Sequence, residues 1–124
     1  MSRSLAPACI VRWLARISSV AMMGLWGGFF IAHLSWLRPP FPPPWVIGVL
    51  ALHAMLLAGL AIGWRFEGWG AALVIGAAIP FFALSAGPNA VPFTAATCIP
   101  AILWLASIWL DRRSATAPST ATAR

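Results

Sequence analysis

Residues 45–87 read WVIGVLALHAMLLAGLAIGW, then RFE, then GWGAALVIGAAIPFFALSAG. The two flanking runs, 45–64 and 68–87, are almost unbroken in apolar character, and two of the three residues between them are charged. A helix needs about 20 apolar residues to cross the hydrocarbon core of a bilayer. A surface helix of a soluble protein would interrupt such a run with polar residues on its solvent face, and neither run is interrupted that way. In lipid, unpaired backbone groups cost several kcal/mol each, so a spanning segment bonds its own backbone as an α-helix. The stretch therefore predicts two helices crossing in opposite directions through a turn at Arg65-Phe66-Glu67.

The same reading extends to both sides. Residues 13–36, WLARISSVAMMGLWGGFFIAHLSW, form a first span entered through Arg12 and Arg16, and residues 91–110 form a fourth. RPPFPPP, residues 38–44, lacks backbone donors and cannot be helix, so it is expected to be a stiff, extended connector at the membrane surface. GPNAVP, residues 87–92, has turn chemistry. The expected fold is an all-α membrane protein, a four-helix transmembrane bundle built from two antiparallel helical hairpins over residues 12–111. A short N-terminal segment, 1–11, precedes it. A Ser/Thr/Ala/Pro-rich tail, 112–124, buries too little apolar surface to fold. Processing of the first run as a signal peptide is not expected, because it is too long and no small-x-small site follows it. Cys9 has no apolar segment before it of the kind a lipoprotein needs.

Composition agrees with lipid as the main solvent. Hydrophobic residues make up 61% of the 124 and charged residues 8%, where a soluble domain carries roughly a quarter charged. The net charge of +6 does not mark a nucleic-acid surface, since eight arginines scattered between apolar spans form no contiguous basic stripe. Tryptophan prefers the membrane interface. Trp13, Trp64, Trp69 and Trp109 mark one side, Trp36 and Trp45 the other. Arg3, Arg12, Arg16, Arg65, Arg112, Arg113 and Arg124 lie on the side of the termini and Arg38 alone on the other. The positive-inside rule then predicts both termini in the cytoplasm and the chain in a bacterial inner membrane. Cys9 and Cys98 belong to different depths, so no disulfide is expected.

Small residues recur every four positions as Gly24, Gly28 and Ala32 on the first span, Ala54 and Ala58 on the second, and Ala72 and Gly76 on the third. Such stripes let helix backbones approach closely. They are expected to pack the bundle, or to form a homo-oligomer face. Glu67 is expected to pair with Arg16 or Arg65; Arg12 and Arg16, four residues apart, share one helix face. Pro80 and Pro100 lie near the middle of the third and fourth spans and should kink them. His33 and His53 are the ionisable groups within the spans, and such groups are functional candidates by default. His33 lies about one turn below the surface. His53 lies about 12 Å in from Trp45 at the helical rise, and this mismatch in depth argues against the two sharing a haem. The ordinary reading of each is structural: an interfacial imidazole and a bonded interhelical one. No cofactor is expected. No carboxylate lies within a span, and no catalytic, metal-ligating or phosphate-binding cluster is evident, so enzymatic activity is not expected.

RWLARI (12–17) and WRFEGWG (64–70), the latter following a helix that bears His53, resemble a group of small bacterial and archaeal membrane proteins known as a domain of unknown function with four predicted spans. The resemblance covers about residues 12–112 and implies the four-span fold; it carries no activity and no site residues. The proline-rich connector and Thr-rich tail depart from it. The function expected from these features is that of a non-enzymatic accessory or scaffold, acting through helix-helix contacts with itself or a larger membrane complex. The alternatives are a small transporter or channel subunit using His53 and the Pro80 and Pro100 kinks, and a haem- or quinone-binding redox subunit using His33 and His53.

Overall fold

In the computed structural model, residues 7–116 are described, and they are helical almost throughout. Helix α1 runs Pro7–His33 and passes into a 3₁₀ turn, Leu34–Leu37. Helix α2 runs Pro44–Ile62 and α3 runs Glu67–Ser85. A second 3₁₀ turn, Gly87–Asn89, leads into α4, Ala90–Thr97, and α5, Ile99–Thr116. Four segments are long and apolar enough to cross a membrane: Pro7–Leu37, Pro44–Ile62, Glu67–Ser85 and Gly87–Thr116. The protein is a multi-pass membrane protein with a four-helix bundle. Each span packs on the next in the chain, and α5 returns to pack on α1, which closes the ring. This up-down-up-down order places both ends of the described chain beside the α2–α3 turn, at an arginine-rich end. The proline connector and the α3–α4 turn lie at the opposite, proline-rich end.

Several boundaries differ from expectation for identifiable reasons. α1 opens at Pro7 rather than near Arg12; a proline fits the first helical position because its missing N–H would be unbonded there anyway. Pro44 does the same for α2. The tail is not irregular from Arg112 onward, because α5 continues to Thr116, with Arg113 in its last turn and its guanidinium 3.7 Å over the Trp109 ring. A cation there complements the helix dipole. Residues 117–124 lie outside the described residues. The two mid-span prolines act differently. Pro80 sits inside an uninterrupted α3, whereas the fourth span breaks at Cys98, between α4 and α5, two residues before Pro100.

The core explains why α2 and α3 form the closest pair. Leu56, Leu60, Val74, Phe82 and Trp104 are sealed from the surroundings. Between them runs a seam of glycines at the arginine-rich end. A Cβ on Gly70 would collide with the backbone of Gly63, one on Gly63 would enter the indole of Trp104, and one on Gly59 would press on the backbone of Val74. These three positions bring two backbones into direct contact and seat the largest core side chain against them. The expected stripes do not pack the bundle. Gly24, Gly28 and Ala32 are exposed on α1, as are Ala54 and Ala58 on α2 and Ala72 and Gly76 on α3, and nothing lies within 4 Å of a Cβ built on Gly24, Gly28 or Gly76. The reason on α1 is Trp26, which fills the inner face: two positions along a helix is about 200° around it, so Gly24 and Gly28 face away.

Candidate functional site

Polar side chains inside the bundle fall into two layers. The first closes the arginine-rich end. Glu67 begins α3, where a carboxylate is favoured by the helix dipole, and it forms an ion pair with Arg12 on α1. Arg12 Nη2 also lies 3.4 Å from Glu67 Oε2 and donates to Asp111 Oδ2 on α5 at 2.7 Å. Ser107 Oγ, wholly buried, sits 2.9 Å from Glu67 Oε2. One arginine thus ties α1 to α3 and α5 through two carboxylates. The expected partners of Glu67 are engaged elsewhere. Arg16 is one turn deeper, and its guanidinium stacks over Trp13 at 5.4 Å and Trp64 at 5.8 Å. Arg65 lies over the Phe66 ring at 5.4 Å. Trp64 is itself held, its indole N–H donating to Ser19 Oγ at 2.9 Å.

The second layer centres on Trp26 of α1. Its indole N–H donates to Thr97 Oγ1 on α4 at 3.0 Å, while its backbone carbonyl accepts from His53 Nε2 on α2 at 2.9 Å. One residue therefore bonds to two other spans. His53 is 2% exposed and packed among aromatics, with ring centroids 4.6 Å from Phe81 and 5.2 Å from Phe30. His33, at the end of α1, bonds through Nδ1 to the Phe29 carbonyl at 2.6 Å, with its ring 4.3 Å from that of Trp36.

The two histidines share a cavity, contrary to the expected mismatch in depth. It has two lobes of about 160 and 140 Å³, and His33, His53, Phe81 and Ser85 line both. Helical side chains lean toward the N-terminus of their own helix. α1 and α2 run in opposite directions, so His33 leans into the bundle and His53 leans out toward the proline-rich end, and the two side chains lean toward each other along the membrane normal.

The chain matches no family model, no curated protein and no solved structure. Among the described residues no group of three or more His, Cys, Asp or Glu could hold a metal ion. Cys9 and Cys98 are free. The polar layers are a clamp at one end and a bonded hub beneath a cavity at the other, and three spans present small residues outward.

Ser107, Thr97 and the Gly59–Gly63–Gly70 seam were not expected from sequence. Ser107 and Thr97 carry only mild polarity in an apolar run, and nothing in the sequence marks them as buried. The seam did leave a trace: Gly59 and Gly63 stand four apart just before the turn and Gly70 stands just after it.

Proposed function

We propose that this protein is a non-enzymatic accessory or scaffold protein of the bacterial inner membrane, holding other transmembrane helices through its outer faces. The observation that supports this is the outward placement of small residues on three of the four spans, at Gly24 and Gly28, Ala54 and Ala58, and Ala72 and Gly76. In lipid there is little hydrophobic drive between helices, and association depends on backbones approaching closely at small residues. The bundle keeps its own seam of glycines and does not use these stripes. They are open for a second copy or for the helices of a larger complex.

The proposed orientation puts both termini in the cytoplasm. Arg12, Arg16, Arg65, Arg112 and Arg113 gather at one end and Arg38 alone at the other, the asymmetry that the positive-inside rule reads. Arg3 and Arg124 lie outside the described residues.

The test uses crosslinking in native membranes followed by native mass spectrometry of protein released in mild detergent. A homo-oligomer or a defined complex is expected, and Gly28→Leu or Ala54→Leu should dissolve it while the monomer keeps its thermal stability, since neither position packs inside the bundle. A strictly monomeric protein with no crosslinked neighbour would sink the proposal.

A further inference from the structure

The cavity between His33 and His53 has a chemistry that the accessory role leaves unused. A backbone carbonyl only accepts hydrogen bonds, so the nitrogen facing it carries the proton. His53 therefore bears its proton on Nε2, toward the Trp26 carbonyl, and His33 bears its own on Nδ1, toward the Phe29 carbonyl. In neutral imidazoles this leaves a lone pair on His53 Nδ1 and on His33 Nε2. Neither nitrogen has a hydrogen-bond partner among the described residues, and neither is sealed off as Arg16 Nε and Trp104 Nε1 are. Both histidines line both lobes. The Ser85 hydroxyl is engaged, donating to the Phe81 carbonyl at 2.6 Å, as is the Trp26 indole N–H, which donates to Thr97. Between the two histidines the cavity thus presents two imidazole acceptors, and the indole N–H of Trp36, a donor, stands at its half-exposed rim.

Its shape and walls narrow the occupant. Phe29, Phe93 and Trp36 line it and are each half exposed on the outer surface of the bundle, so the cavity opens among groups that meet lipid. A dry cavity of about 150 Å³ accepts one benzene molecule, so each lobe, at about 160 or 140 Å³, suits a single six-membered ring and neither holds a macrocycle such as haem. The rings of Trp26, Phe81 and Phe82 supply surfaces for stacking.

We propose that this cavity binds the dihydroxyaromatic head of a membrane-soluble quinol, with His53 Nδ1 and His33 Nε2 accepting its O–H groups. The oxidised quinone carries carbonyl acceptors instead. Against the two imidazoles it would set lone pair against lone pair, because turning either ring to donate into the cavity would break the hydrogen bond that now fixes it. The imidazole pair therefore favours the reduced form. This inference is independent of the accessory reading and concerns binding alone.

The experiment titrates the full chain in lipid nanodiscs, without oxygen, with a decyl-substituted 1,4-benzoquinol, the matching quinone, and the dimethyl ether of the quinol, followed by calorimetry. The quinol is expected to bind at least tenfold tighter than either of the others, because the ether keeps the ring and tail but carries O–CH3 in place of each O–H and cannot donate. In His33→Phe, quinol affinity should fall part of the way to that of the ether, because His53 Nδ1 alone remains to accept. Equal affinities for all three ligands, or no binding of the quinol, would overturn the proposal, and the ligand series decides it even if the variant fails to fold.

Discussion

Arg12 and Trp26 show how much a single side chain can organise in an apolar bundle. Arg12 bonds Glu67 and Asp111 from one guanidinium. Its side chain is 31% exposed, and those of Glu67 and Asp111 are 14% and 52% exposed, so the pair with Glu67 is the less screened. In a double-mutant cycle, coupling between Arg12→Gln and Glu67→Gln is expected at about 1 kcal/mol, against a few tenths with Asp111→Asn. Thermal unfolding in detergent measures both, and a larger coupling to Asp111 would contradict the geometry. Trp26→Phe keeps an aromatic ring and removes the indole N–H that Thr97 accepts. Paired with Thr97→Val it should show coupling of about 0.6 kcal/mol, the mean for interhelical hydrogen bonds in membranes, and at most about 1.7 kcal/mol; additive effects would mean that the bond contributes nothing. Neither partner was legible beforehand. Sequence places Glu67 at the correct rim, but choosing between Arg12 and Arg16 depends on a depth difference of one helical turn and on which guanidinium finds an aromatic sandwich.

At the scale of elements, the four spans were legible because each has a length and an apolar content that lipid demands, and that signal is local. The faces were not. Small-xxx-small spacing says that a backbone can come close and does not say to what; the stripes on α1, α2 and α3 turn outward because larger side chains such as Trp26, His53 and Phe82 take the inner faces. This separates two classes of glycine. Gly63→Ala puts a methyl into the Trp104 ring beside the backbone of Gly70, and overpacking of this kind costs about 1–3 kcal/mol. Gly76→Ala meets nothing within 4 Å and, as an alanine replacing a helical glycine, should stabilise by a few tenths to about 1 kcal/mol. Unfolding temperatures of the two variants should move in opposite directions. If both fell, α3 would be packed on a face that the fold leaves open.

For the whole molecule, the closed ring of helices converts an even number of crossings into a sidedness that can be measured. α1 enters and α5 leaves at the end that holds the α2–α3 turn, so three segments far apart in sequence, those around Arg12, Arg65 and Asp111, share one membrane face, while Arg38 stands at the other. The proposed orientation rests on arginine asymmetry, and the ion pairs of Arg12 hold α1 against α3 and α5. With Cys9→Ala and Cys98→Ala as background, single cysteines introduced as Ser114→Cys and Arg65→Cys should be protected from a membrane-impermeant maleimide in intact cells and labelled in inverted vesicles, whereas Phe41→Cys should show the reverse. Protection of Ser114→Cys with labelling of Arg65→Cys would mean an odd number of crossings between them and would break the fold itself. Complete reversal of all three would leave the bundle intact and overturn only the orientation, because the hydrophobic spans and the glycine seam are indifferent to which side they face, and only the arginines are not.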